Sequence, residues 1–204
     1  MLNQAAAPNS MTKRTKPICL CLMMLLGSLA ANAETTISTH HQIMAGFLLH
    51  LTSFTQWPAA EHLNFKLCIL GEDPFKGYLD SMLKRRPKNR LGQDIVVSRI
   101  EENAIQQLST CQLVFVHPQQ YQKLWQHLSP SHTTLLVSQG RDFINQGGMI
   151  NFTLDKKKVK LEVNLPAVNA AKLKISSELL KHAKVIQGKT HLQVETNWGA
   201  NVAK

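Results

Sequence analysis

Five short apolar segments, 66–70, 94–100, 112–117, 133–137 and 149–154, recur along the chain, the first four separated by polar or helix-like stretches such as 75–83 and 119–128. Apolar runs this short, bounded by turn residues, have strand character. Strands that alternate with helices require crossover connections and therefore a mostly parallel sheet. The last of the five behaves differently. Segments 149–154 and 159–164 flank a charged turn, Asp155-Lys156-Lys157-Lys158, and Val159, Leu161 and Val163 alternate with Lys160, Glu162 and Asn164. That pattern predicts an antiparallel β-hairpin. The fold class is α/β: a single-domain, doubly wound, mostly parallel sheet with a C-terminal antiparallel hairpin edge and flanking helices.

Helices frame these strands. Ile43, Phe47, Leu48, Leu51 and Phe54 recur at spacings of three and four within 40–55, which is helical periodicity. Trp57-Pro58 ends the run, because a residue before proline avoids the α region. Pro166 opens a last helical region, 167–171 and then 176–185, and from Gly188 the chain is polar and aperiodic. The chain thus divides into a signal peptide over 1–33, an α/β domain over 34–187, and a polar tail over 188–204.

The signal peptide follows a three-part grammar. Lys13, Arg14 and Lys16 precede an apolar run over 18–29, and Ala31-Asn32-Ala33 places small residues at −3 and −1 before Glu34. The run is too short to stay in a bilayer as a spanning helix. No lipobox surrounds Cys19 or Cys21, which leave with the leader. Export to the periplasm is the expectation, with no transmembrane anchor after cleavage. Losing the three leader cations takes the formal charge from +10 to +7. A basic exported domain points to an acidic partner or an anionic surface, and export argues against nucleic acid. Two cysteines remain, Cys68 and Cys111. In an oxidising compartment they indicate one disulfide, with two separate buried thiols as the alternative.

Chemistry is harder to find. The sequence has no G-x-S-x-G, H-E-x-x-H, P-loop or G-x-G-x-x-G pattern. Gly71-Glu72-Asp73-Pro74 after the first strand carries carboxylates where a phosphate cradle would want none. His40, His41, His50, His62, His117, His127 and His132 are not grouped at zinc spacing with Cys, Asp or Glu. His117 ends a strand, the position where open α/β sheets bind ligands. These observations predict no catalytic residues, no cofactor and no metal. One charge cluster stands out: Lys84, Arg85, Arg86, Lys88 and Arg90 crowd a seven-residue stretch, either a contact for an acidic surface or a solvated linker.

Four signatures then combine. They are Ala45-Gly46-Phe47-Leu48 with Phe54-Thr55-Gln56-Trp57-Pro58; Leu67-Cys68-Ile69-Leu70-Gly71 running into Asp73-Pro74-Phe75; Cys111-Gln112-Leu113-Val114-Phe115-Val116; and Gly147-Gly148-Met149-Ile150-Asn151-Phe152 followed by Leu161-Glu162-Val163-Asn164 and Ile175-Ser176-Ser177. In this order, over about residues 40–186, the chain resembles the YfiR family, YfiR/HmsC-like periplasmic repressors of membrane diguanylate cyclases. The resemblance implies a non-enzymatic regulator that binds the periplasmic sensor domain of an inner-membrane diguanylate cyclase and lowers cyclic di-GMP and biofilm formation. It also implies sequestration by an outer-membrane lipoprotein, and it places Cys68 and Cys111 on the family's redox-responsive pair. A second cysteine pair that some relatives carry is missing here. The competing reading is a periplasmic small-ligand receptor, using the crevice at the carboxyl ends of the strands, or an accessory subunit of a sensor kinase. A homodimer is compatible with either. For the partner surface the first helix and its exit, around Phe47, Phe54 and Trp57, are preferred over the basic stretch at Arg85 and Arg86.

Overall fold

The strand segments assemble as their alternation requires. A computed structural model describes residues 38–58, 64–129, 132–140, 142–190 and 193–194; the signal peptide and most of the polar tail lie outside these. Helix α1 (Thr39–Phe54) leads into β1 (Thr55–Gln56). The main sheet is built from β2 (Asn64–Leu70), β3 (Asp94–Ile100), β4 (Leu113–Val116), β5 (Leu135–Gln139), β6 (Ile150–Asp155), β7 (Lys158–Asn164) and β9 (Ala183–Ile186), in the order β3-β2-β4-β5-β6-β7-β9. A two-stranded piece pairs β1 antiparallel with β8 (Lys174–Ile175). Pairings from β3 through β6 are parallel, and β6–β7 is the expected antiparallel hairpin.

The five parallel strands have doubly wound order, with β2 first and its neighbours β3 and β4 on either side. Right-handed crossovers then put the β2–β3 connection on one face and the later connections on the other. The packing agrees. Helix α2 (Tyr78–Arg85), which joins β2 to β3, packs against α1. The 3₁₀ turn Glu102–Thr110 and α3 (Tyr121–His127) pack against each other. Central strands covered on both faces can be apolar throughout, which is why β4 is Leu-Val-Phe-Val and fully buried. The core gathers on the aromatic rings of Phe65, Phe75, Phe115 and Phe143, with Phe75 edge-on to Phe115 at 4.9 Å.

Strand order also explains the disulfide. Cys68 on β2 and Cys111 just before β4 are 43 residues apart in sequence, yet their Cα atoms lie 6.0 Å apart and the sulfurs are bonded. The two strands are sheet neighbours although β3 intervenes in the chain. A loop of this length gives the bridge about 4 kcal/mol by the chain-entropy account.

Local preference loses at the C-terminal end. The helix expected over 176–185 is only α5 (Ser177–Leu180), after α4 (Leu165–Ala170), and the chain then extends as β9. Beside β7 there is an open row of backbone donors and acceptors, and pairing Ala183–Ile186 in parallel with Leu161–Asn164 satisfies them. Asn164 ties the arrangement down, its Nδ2 donating to Gly148 O at 3.0 Å and Lys189 O at 2.9 Å. Gly148 itself must lack a side chain, since a Cβ there would sit 2.6 Å from Phe143 O. At the β6–β7 turn both Lys156 (φ 46°) and Lys157 (φ 66°) are left-handed, as a tight hairpin demands.

A basic-rimmed groove along the first helix

Helix α1 is THHQIMAGFLLHLTSF and contains no Asp, Glu, Lys or Arg. Ser38 caps it, its Oγ accepting from His41 N. Met44, Ala45, Leu48, Leu51 and Thr52 are buried against the domain. The remaining face is also apolar, carrying Ile43 (42% exposed), Phe47, Leu49 and Phe54, interrupted by the exposed ring of His50. A helix apolar all round is normally covered all round. Here one face is fully buried, while Phe47, Leu49 and Phe54 on the other pack against the core and stay partly exposed, so the spacing that marks the helix merges two faces.

Two cavities flank the outer face and share His50, Phe54 and Glu178. The larger, about 510 Å³, has an apolar floor of Leu49, Met82 and Ile95 and a cationic rim of Arg86, Lys88 and Arg90. The smaller, about 450 Å³, is lined by Phe47, Leu161, Leu179 and His182. Between them the guanidinium of Arg90 lies 5.0 Å above the Phe54 ring, and His50 stacks on that ring at 5.9 Å.

The rim is fixed to the helix through one buried amide. Asn89 Nδ2 donates to Thr52 O, an α1 carbonyl left over at the helix end, and Asn89 Oδ1 accepts from the backbone of Leu91 and Gln93. Arg90 N donates to Ser53 Oγ at 3.2 Å. The basic stretch is therefore a held loop. Lys88 pairs with Asp94 at 2.8 Å. Arg90 approaches Glu178 only to 3.9 Å, with both side chains well exposed. The Arg86 guanidinium has no hydrogen bond or ion pair among the described residues.

Gly46 lies in the middle of α1 and lines the larger cavity. A Cβ added there meets nothing within 4 Å. A mid-helix glycine costs about 1 kcal/mol relative to alanine, and no contact among the described residues requires it.

The residues expected at the partner surface divide. Phe47, Phe54 and Arg86 meet in the groove. Arg85 is exposed on the last turn of α2 and is not among the lining residues. Trp57 turns to the body of the domain: its ring meets Phe65 edge-on at 4.9 Å, and Nε1 donates to Gln112 O at 3.0 Å. His50, Asn89 and Glu178 join the site without any sequence motif to mark them. Gly46 joins it from the first signature, Ala45-Gly46-Phe47-Leu48, and as a glycine inside a helical pattern it was itself a signal.

The crevice at the carboxyl ends of β2 and β4 is filled. Gly71 (φ 88°) receives the buried Gln120 side chain, and a Cβ there would lie 2.7 Å from Gln120 Cγ and 3.2 Å from His117 Cβ. Gln120 Nε2 donates to Glu102, which also pairs with Lys123. The Lys123 ammonium holds the Glu102 carboxyl below its usual range. Nearby, Arg99 donates from Nε to Asp73 and from Nη2 to Asp80. Tyr121, buried and hydrogen-bonded to Ser138 Oγ at 2.7 Å, has its phenol pushed up by burial.

Among the described residues no group of three His, Cys, Asp or Glu side chains could hold a metal, and no helix is long and apolar enough to cross a membrane. His62 lies outside the described residues. A search of curated proteins finds no match. The sequence model of a family described as YfiR/HmsC-like matches residues 41–184, from the start of α1 into β9, and includes every strand of the main sheet. With well over half its length matched, the chain belongs to the YfiR/HmsC-like family, whose members are periplasmic regulators of diguanylate cyclases.

Proposed function

We propose that this protein is exported, cleaved after Ala33, and restrains an inner-membrane diguanylate cyclase by binding its periplasmic sensor domain. Cyclic di-GMP and biofilm formation fall as a result. In this reading residues 34–187 form the working domain, 188–204 are a tail, and an outer-membrane lipoprotein relieves the restraint by sequestering the repressor. Family membership carries the proposal. Two features support it. The domain's open apolar surface is a groove suited to contact, and the charged groups Arg99, Asp73, Asp80, Glu102 and Lys123 are paired with one another. Binding, with no bond made or broken, is the chemistry left to such a surface.

Deletion of the gene tests this. Cellular cyclic di-GMP and biofilm should rise, and expression of the exported chain should restore both. A version lacking 1–33 should not, because it cannot reach a periplasmic domain. Unchanged cyclic di-GMP in the deletion strain overturns the assignment.

A further inference from the structure

We infer that the groove beside α1 seats an acidic, amphipathic segment of a partner protein, placing two apolar side chains in the two cavities and carboxylates against Arg86 and Arg90. The inference rests on the proposed regulation only for the identity of the partner.

Three independent observations fix the partner's chemistry. The first is charge. Arg86 has no counterion among the described residues, Arg90 has only a distant one, and α1 supplies none because it bears no charged side chain. Guanidinium forks on a rim select carboxylates. The second is shape. The two hollows lie on either side of the Arg90–Phe54–His50 stack, so one trough offers two apolar seats separated by a ridge. A helix laid in a groove presents anchors at such intervals. The third is Gly46. Its missing side chain meets nothing in this domain, yet it opens the α1 backbone to whatever enters the larger cavity. Glycine is the residue that admits close approach of a second chain.

The experiment titrates the purified exported protein with the isolated periplasmic domain of the host's membrane diguanylate cyclase. Three variants are compared: Gly46→Leu, the pair Arg86→Glu with Arg90→Glu, and a charge-matched control, Lys156→Glu with Lys157→Glu, at the β6–β7 turn. Melting temperatures are recorded for all of them. Gly46→Leu should weaken binding at least about tenfold while melting no lower than the parent, since its side chain enters open space. The arginine pair should weaken binding to a similar degree, mainly through slower and more salt-sensitive association. The control should change little. If the parent binds and the groove variants bind as well as it does, the groove is the wrong surface while the regulatory reading stands. If the parent does not bind the cyclase domain, that reading falls, and a second probe judges the groove. This probe is a short amphipathic peptide with leucines on one face and glutamates beside them, compared with its lysine counterpart. Capture of the glutamate peptide alone, lost in Gly46→Leu, upholds the groove. Capture of neither peptide, or of both equally, overturns it.

Discussion

The crevice at the carboxyl ends of β2 and β4 and the groove beside α1 use similar residues to opposite effect. Each has a glycine, a polar side chain that organises its surroundings, and arginine or lysine nearby. At the crevice the glycine is filled: Gln120 packs on Gly71, and the cations are paired, Lys123 with Glu102 and Arg99 with Asp73 and Asp80. At the groove the glycine is open, Arg90 lies over Phe54 with Glu178 no nearer than 3.9 Å, and Arg86 has no ion pair among the described residues. Doubly wound folds usually bind at the first of these places. Here the Gln120 side chain closes that place, and open apolar cavities lie along the outer face of a helix instead. The difference is one of packing and charge: at the crevice a side chain is seated on the glycine, with His117 Nδ1 and Gln120 Oε1 buried and without a hydrogen-bond partner among the described residues, whereas the groove keeps open space and exposed cations.

A glycine pair offers the sharpest way to break the comparison. Gly71→Val places a β-branched side chain at φ 88° and drives its Cβ into Gln120. Backbone strain and overpacking together should lower stability by about 4 kcal/mol, read as a reduced urea midpoint with unchanged slope. A loss under about 1 kcal/mol would mean the crevice is looser than described and able to admit a ligand.

Gly46→Ala is the opposite case. The methyl group meets no neighbour and improves helix propensity, so the free protein should gain up to about 1 kcal/mol. A destabilised Gly46→Ala protein would show that the groove is packed in solution and is not an open surface.

The smallest effect concerns charge. The hydrogen bond from Arg99 holds the Asp80 carboxyl below its ordinary range. A carboxylate depressed in the folded state adds stability that is complete above its unfolded value of about 3.9 and is lost as the pH falls through the folded one. Asp80→Asn should therefore flatten the acid side of the stability profile while costing only about 0.5 kcal/mol at neutral pH, since the pair is two-fifths exposed and screened by solvent. An acid limb identical in parent and variant would show that this end of the sheet is not held by its ion pairs.

Much of this molecule is set by its sequence. Apolar runs separated by helical stretches force parallel strands, the alternation after Asp155 forces a hairpin, and the first helix ends at Phe54, before Trp57-Pro58 is reached. These are local facts, carried by side-chain period and backbone restriction, and they need no knowledge of distant partners. The four ordered signatures carried the family in the same way. Strand order decided the rest. It placed Cys68 beside Cys111, and it turned 183–186 from helix to strand because β7 had an edge to satisfy. It also brought Arg90 over Phe54 and Arg86 to the rim of the same cavity, beside an Asn89 hydrogen bond spanning 37 residues. Helical spacing identified α1 but not which of its two apolar faces is buried, since periodicity is a property of one helix and burial belongs to whatever packs against it.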